Sequence, residues 1–447
     1  MKLQELVKET INDIKTQYLS KEDAGRPWAV AWSAGKDSTT TLSLFIKALE
    51  DMTEEERKSR HTYVVMSDTK VENPMLETYM HDQIQKLKNY VEQKNLPVSV
   101  ELVSRPVKDS YFVLTLGRGY FLPLNSGQGR WCTQRLKTQP QNDALKEIAP
   151  SIVLIGTRLS ESIRREKSMR ENSLEGKIGK HAMAGTNTFM AIADWTIDDV
   201  WEYLGNNDIG WSSTIPVRKL YREATGECAV ANPQGVEEKL LLQQAEACGA
   251  RFGCWLCPVV ETDKSTEAMT DYHGWLEPLT HYREMQSWIY GSYKPPAIKG
   301  QPRKERSEQL RRQEAINEKI KLITKAGFNR RGTRMKDGQG TFTVEARQFL
   351  FRELIKTEEA VNDLRKKEGL EPMKLISDEE IELIKKFWEE DSTNAKHLIT
   401  NALGIPIEEL KPLLKGEIST EEVEEYKKQR LEKNRKKKEE KAKSLDK

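Results

Sequence analysis

Leu3, Val7, Ile11 and Ile14 recur at helical spacing and predict an amphipathic helix from about Lys2 to Tyr18. PWAVAW (27–32) is a short apolar run of the kind that forms a buried strand. The polar stretch SAGKDSTT and the helical run TLSLFIKAL follow it. Further strands are predicted at TYVVMSD (62–68), PVSVELV (97–103) and SIVLIGT (151–157), with a helix over 72–94 between the first two. Strands alternating with helices predict a parallel sheet covered on both faces by helices, an α/β fold. Ligands of such sheets bind beyond the carboxyl ends of the strands.

The alternation lapses after about residue 205, where most of the cysteines lie, and from about 300 the chain turns helical and charged. Residues 343–367 and 377–390 both carry helical periodicity. Ser377 ahead of Asp378, Glu379 and Glu380 supplies an N-cap and an acidic first turn. The expected organisation is an α/β domain over 1–205, a cysteine-rich segment packed on it over 206–300, a partly basic helical extension over 301–418 and a charged tail over 419–447.

Composition narrows the class. Of 447 residues, 37% are hydrophobic and 32% charged, which describes a soluble, highly charged chain. No run approaches the ~18 apolar residues of a membrane span, and the first residues lack the apolar core of a signal peptide. A cytoplasmic location is expected. Five cysteines without an export signal argue against a disulfide framework. The net charge of +2 is uninformative, but its distribution is not. Residues 302–336 hold twelve Lys/Arg against four Glu, and 427–447 hold eleven basic residues against four acidic ones. The first region is a candidate electrostatic footprint for a polyanion. The second is equally well read as a solvated helix or tail.

Ser33-Ala34-Gly35-Lys36-Asp37-Ser38-Thr39 sits between a strand and a helix and has the makings of an anion cradle. Gly35 permits a tight turn and close backbone approach. The N–H groups of the following helix's first turn point at the ligand. Ser33, Ser38 and Thr39 offer hydroxyls, Lys36 a positive charge, and Asp37 a carboxylate for Mg²⁺ or for the loop itself. The string is not a Walker A loop. It resembles the S-x-G-K-D-S loop of the ATP pyrophosphatase superfamily, which implies an adenine nucleotide alpha hydrolase-like fold and cleavage of ATP between its α and β phosphates. Ala34 stands where that family commonly has Gly, and an Ala is expected to fit only with a negative φ.

Other stretches resemble the phosphoadenosine phosphosulfate reductase branch of that superfamily. They are Ser67-Asp68-Thr69, Gly156-Thr157-Arg158 continuing to Glu161, Ser162, Arg164 and Arg165, and Ala193-Asp194-Trp195-Thr196 with Asp199 and Trp201. The resemblance implies that Asp68, Gly156, Arg158 and Arg164 bind the nucleotide, the arginines gripping phosphate. Trp195 and Trp201 read more simply as core residues.

Cys254 and Cys257 form C-x-x-C, with Cys248 and Cys228 upstream and Cys132 far off in GRWCTQRLKTQP. Four thiolates suit a structural zinc or a 4Fe–4S cluster. In iron–sulfur sulfonucleotide reductases a cysteine motif followed by K-x-x-P, matched here by Cys132, Lys137 and Pro140, joins a later C-x-x-C to hold the cluster. That implies Cys132, Cys254 and Cys257 as ligands with a fourth from Cys248 or Cys228; the compact C-x₅-C-x₂-C spacing favours Cys248 and leaves Cys228 as a sulfur carrier. The competing set is Cys228, Cys248, Cys254 and Cys257, with Cys132 in catalysis.

SGQGRWCTQRLK, LYREATGEC, CGARFGCWLCPVV and the helical extension together resemble the DndC family, the sulfurtransferases of bacterial DNA phosphorothioation. GECAV departs from that pattern, since Pro is expected after the Cys. The resemblance implies replacement of a non-bridging DNA phosphate oxygen by sulfur, primed by ATP with release of pyrophosphate. It implies Mg²⁺, Lys36, Asp37, Arg158 and Cys228 in catalysis, and a cysteine desulfurase and the other subunits of the modification system as partners. The alternatives are a sulfonucleotide reductase, a tRNA thiolation enzyme, or a metal-stapled nucleic-acid-binding module without ATP cleavage.

Overall fold

The computed structural model describes residues 2–21, 25–123, 130–161, 171, 173–183, 185–206, 209–225, 252–260, 263–289, 302–308, 310–311, 342 and 344–403. They fall into two compact units. The first comprises Met1–Arg105, Trp131–Trp255 and Thr262–Gly274; the second comprises Pro106–Arg130, Leu256–Glu261 and Trp275–Lys447.

The first unit opens with α1 (Lys2–Tyr18), β1 (Trp28–Ala31), α2 (Lys36–Glu50), the single turn α3 (Glu54–Arg57), β2 (Thr62–Ser67), α4 (Pro74–Gln93) and β3 (Val98–Val103). After Trp131 come α5 (Gln139–Ile148), β4 (Ile152–Ile155), β5 (Ser173–Glu175), β6 (Ile178–Lys180), β7 (Asn187–Phe189), α6 (Ile197–Asn206), α7 (Ile215–Thr225) and α8 (Lys264–Thr270). The seven strands form one sheet in the order β3-β2-β1-β4-β7-β6-β5. β3, β2, β1, β4 and β7 run parallel. The apolar runs of the inner strands β1, β2 and β4 are continuous because helices cover both faces. Tyr18, Phe45 and Phe189 surround Trp28 on one side. Ala29, Val65, Val153 and Leu145 cluster separately with Ala144 and Ile148 of α5.

The α/β architecture agrees with expectation, but the sheet is not wholly parallel. β6 and β5 add antiparallel strands at one edge. Gly176, at φ +55°, turns the hairpin between them. These strands are three residues each and too short to leave a periodic signature.

Local signals set the helix ends. Asn73 caps α4 by accepting from Met75 N–H, with Pro74 in the first turn. Thr196 and Asp199 cap α6 reciprocally, so this part of the Ala193–Trp201 stretch is a helix start. Trp195 is core, its Nε1 donating to Thr10 Oγ1.

The second unit contains a π-helical turn (Val113–Gly117), α9 (Glu277–Ile289), α10 (Val344–Lys367) and α11 (Asp378–Leu403). Ser377 is the expected N-cap of α11 and forms a capping box with Glu380, and the helix continues beyond the predicted end near 390. Buried Arg347 of α10 donates to Gly117 O and, at 2.8 Å, to Asp391. Trp388 Nε1 donates to Leu116 O. No helix among the described residues is long and apolar enough to cross a membrane.

Candidate functional site

β1 lies where the strand order reverses, with β2 on one side and β4 on the other. The crevice beyond such a point is where ligands bind in open α/β sheets. The loop leaving β1 leads straight into α2, whose first-turn N–H groups have no helical partners of their own. Ser33 and Ser38 are linked Oγ to Oγ at 3.0 Å, Ser38 Oγ accepts from Ser33 N–H, and it donates to Gly35 O. The loop is thereby folded before any ligand arrives. A Cβ on Gly35 would stand 3.5 Å from Ser33 Oγ and 3.4 Å from Tyr221 Oη, filling the space over the loop. The cradle thus fits an anion.

Two expectations for the loop are corrected. The left-handed residue is Ala34, at φ +55°, whereas Gly35 is extended at φ −76°. The left-handed conformation costs an alanine about 1–2 kcal/mol. Burial of its methyl, worth about 0.8 kcal/mol, offsets part of that, and Ala34 is fully buried. Thr39 also is fully buried, and its hydroxyl accepts from Trp32 Nε1 at 3.1 Å. Thr39 ties α2 to β1 and does not line the cradle.

Gly156 follows β4 and packs on the start of α2. A Cβ there would fall 2.7 Å from Ser38 Cα and 2.8 Å from Ser38 N, so only glycine fits. Two residues on, Arg158 is buried; its Nε donates to Asp37 Oδ1 at 2.7 Å and its Nη1 to Ser160 Oγ at 3.0 Å. Asp37 Oδ2 is 3.2 Å from Lys36 Nζ. Of the two roles open to Asp37, the geometry gives it the loop. A carboxylate shared between two cations is not a fit for magnesium, and no step is assigned to that ion.

Asp68, expected beside the nucleotide, is buried at the end of β2. It accepts from Lys70 N–H at 2.8 Å and pairs with Lys70 Nζ at 2.7 Å. Its carboxylate, that of Glu77 and the His81 imidazole lie within 4.8 Å of one another. Burial first, and then the Asp68 charge, push the Glu77 carboxyl up to about 7, with Lys70 opposing and Glu72 adding.

Beside this group is an ion pair that sequence reasoning passed over. Buried Glu72 accepts from Lys137 Nζ at 2.7 Å and from Thr69 Oγ1 at 3.2 Å. Burial would push the Lys137 ammonium down, but Glu72, Cys254 and Cys132 outweigh it and raise it to about 12. Lys137 is thus a permanent cation on which Cys132 and Cys254 both act. A backbone bridge between Glu72 and Cys254 holds that cysteine beside the pair. Cys132, Cys254 and Cys257 are half-buried and form no disulfide. In this unit the thiol donors present are Cys132 and Cys254, both near enough to Lys137 to act on its charge, and thiols beside a cation suit a thiolate-bound metal group. In the second unit, buried Arg283 donates to Cys257 O at 3.0 Å and to Val260 O.

The phosphoadenosine phosphosulfate reductase domain family model matches residues 27–260. The chain belongs to that family. It has an α/β fold, a mostly parallel sheet flanked by helices, and its family is one of nucleotide-utilising enzymes. The phosphoadenylyl-sulfate reductase of Candida auris is 13% identical over 46% of this chain and 85% of that one, with a TM-score of 0.30. The FMN adenylyltransferase of Candida glabrata, solved with FAD and inorganic pyrophosphate, is 12% identical over 50% and 65%, with a TM-score of 0.31. The U34-tRNA thiolase of Methanococcus maripaludis, solved with its 4Fe–4S cluster, is 12% identical over 63% and 78%, with a TM-score of 0.28. No curated protein sequence matches the chain.

Within this reductase-family domain, one unit brings together Ser33, Gly35, Lys36, Asp37, Ser38, Gly156 and Arg158. Tyr221 was missed as a member of the same group. It lay within a segment noted for resemblance, LYREATGEC, but nothing in the local pattern marks a tyrosine as a neighbour of a loop 185 residues away. Arg164, Cys228, Cys248 and the tail from 419 lie outside the described residues, as does most of the basic stretch 302–336.

Proposed function

We propose that this protein is an ATP-dependent sulfurtransferase that exchanges a non-bridging phosphate oxygen of DNA for sulfur. The observation that carries the reading is the pairing, in one unit, of a preformed phosphate cradle with two cysteines that act on one half-exposed lysine, Lys137, ion-paired to buried Glu72. The first supplies activation and the second handles sulfur. The choice of DNA as acceptor is supported by the sequence stretches shared with the phosphorothioation sulfurtransferases, from SGQGRWCTQRLK to CGARFGCWLCPVV.

Phosphate oxygen is a poor leaving group, and adenylation makes it a good one. A non-bridging oxygen attacks the α-phosphorus of ATP and pyrophosphate leaves. Sulfur at the oxidation level of sulfide then attacks the DNA phosphorus, and AMP departs carrying the oxygen. The α2 N–H groups, Ser33, Ser38 and Lys36 hold the β and γ phosphates, and their fixed dipoles stabilise the charge that builds on pyrophosphate. Arg158 positions the loop through Asp37. Cys132, Cys254 and Cys257, with Cys248 or Cys228, are the candidates to hold a 4Fe–4S cluster or a zinc ion. Such a group supplies a Lewis-acidic site for sulfur, and Lys137 balances the negative charge of its thiolates. A cysteine desulfurase is the proposed sulfur source; its persulfide sulfur is brought to the sulfide level by two electrons from an external dithiol reductant, which leaves as the disulfide. The other subunits of the modification system are the proposed partners, and residues 302–336 the proposed DNA contact.

The test offers ATP, a sulfur donor and either duplex DNA or tRNA to the protein with its partners, followed by nuclease digestion and mass spectrometry. Thiophosphate-linked dinucleotides from DNA are expected. Thionucleosides from tRNA would move the assignment to a tRNA thiolase, and sulfite from adenylylsulfate with thioredoxin would move it to a sulfonucleotide reductase.

A further inference from the structure

We propose that β3 is a pairing edge at which two copies of this chain join their sheets, strand against strand, about a two-fold axis through Val100; the inference does not depend on the nucleotide or sulfur chemistry. β3 (Val98–Val103) ends the sheet and is paired on one side alone, to β2. Thr62 N–H donates to Pro97 O, and Asp68 N–H donates to Val103 O. In a parallel ladder the residues that bond to one neighbour alternate with those that face the other side. The odd-numbered residues of β3 therefore face β2, and Val98, Val100 and Leu102 turn their backbone groups to the outer edge. Val98 N–H folds back to Leu96 O. The C=O of Val98 and both backbone groups of Val100 and Leu102 have no hydrogen-bond partner among the described residues.

An edge of this kind recruits another strand unless something blunts it. The usual devices are missing from β3, for Val98–Val103 contains no proline, no lysine and no register shift. Its one charged residue, Glu101, is exposed and stands on the face opposite buried Val98 and Val100. Beside the edge an open groove of about 420 Å³ is lined by Lys88, Val91, Glu92 and Asn95 together with the start of β3. It mixes an ammonium with carboxylates, and so does not call for a strongly charged ligand.

The sequence of the strand favours a copy of itself as the occupant. In antiparallel register about Val100, that residue faces its own counterpart and Val98 faces Leu102 of the second copy. Every outward-facing residue of both strands is then used. Ser99 lies opposite Glu101 of the second copy, in the closer, non-hydrogen-bonded type of pair. Ser99 Oγ is 2.9 Å from His61 Nε2. With the imidazole donating to Ser99, the hydroxyl proton is left for that carboxylate. An axis through Glu101 would instead set two carboxylates against each other and leave Val98 outside the pairing. An axis through Ser99 would leave out Leu102. The Val100 register is thus the self-complementary one, and a two-fold contact uses up this edge on both copies.

The experiment is sedimentation velocity of the full chain over a range of concentrations, with two substitutions of Ser99. A monomer–dimer equilibrium is expected. Ser99→Lys sets an ammonium opposite Glu101 twice in each dimer and should tighten association about fivefold. Ser99→Glu sets carboxylate against carboxylate and should weaken it by about the same factor. Oxidation checks the register. Val100→Cys should give a disulfide-linked dimer above the background of the unsubstituted protein, because residues paired across the axis lie about 5.5 Å apart at Cα. Glu101→Cys, out of line with its own counterpart, should not. A monomer at every concentration would overturn the proposal. So would a shift of the same sign in both Ser99 variants, or cross-linking through Glu101→Cys as readily as through Val100→Cys. Hydrogen-exchange protection of Val100 and Leu102 that appeared only on adding the partner subunits would assign the edge to a strand of another protein and overturn it as well.

Discussion

Arg158 Nε donates to Asp37 Oδ1 across 2.7 Å, joining the end of β4 to the first turn of α2. Both side chains are largely buried, and the guanidinium also reaches Ser160. The phosphate loop is therefore held by its neighbouring strand as well as by its own hydrogen bonds. Removing one partner from a buried pair costs up to about 3 kcal/mol, and less than that here because Asp37 keeps Lys36 Nζ at 3.2 Å. Arg158→Ala should lower the unfolding free energy by that order and abolish measurable ATP binding. A double-mutant cycle with Asp37→Asn, read by urea denaturation, should give a coupling energy above about 1 kcal/mol.

Gly156→Ala probes the same junction sterically. The new Cβ would meet the backbone of Ser38 at 2.7 Å, and backbone cannot rotate away as a side chain can. Overpacking of this kind costs about 1–3 kcal/mol. The displaced element is the first turn of α2, so the variant should lose ATP affinity by far more than its Tm falls. Calorimetric binding measured beside a thermal melt checks this.

Glu77 makes stability depend on pH. Its carboxyl titrates near 7 in the folded chain and near 4.5 when unfolded, so the folded state binds the proton more tightly. The associated stability is complete below about pH 4.5 and is lost as pH rises through 7. Glu77→Gln should therefore behave like the unsubstituted protein near pH 5 and melt at higher temperature near pH 8, the gap opening between those values. Parallel melting curves across that range would remove Glu77 from the account.

Anaerobic purification tests the cysteines. Iron and acid-labile sulfide near four per chain, with a broad visible absorption, are expected for a 4Fe–4S cluster. One zinc without iron would instead mark a structural site. Cys254→Ser should lose the bound group under either outcome. Glu72→Gln should keep the cysteines but loosen Lys137, and is expected to shorten the group's lifetime against a chelator.

The legible parts of this protein were those written into contiguous residues. The four long parallel strands, α1, the phosphate loop and the Ser377 cap all follow from local pattern. Gly156 was legible through resemblance, and its physical reason, the backbone of Ser38, appears only in three dimensions. Ala34 was misjudged because a sequence shows neither its positive φ nor the burial that offsets it. Thr39 was misassigned because a hydroxyl beside a cradle looks the same whether it faces ligand or Trp32. Glu72 and Tyr221 were invisible as site residues, since their partners Lys137 and Lys36 are distant along the chain. β5, β6 and β7 were too short to show a period.

The most direct test of the account is the identity of the products formed from ATP by the protein in the presence of its partners and duplex DNA. Anion-exchange chromatography should find AMP and pyrophosphate in equal amounts, with both lost in Lys36→Ala. ADP and orthophosphate, or unchanged turnover in that variant, would contradict the assignment of the loop after β1 as the site where ATP is held and cleaved.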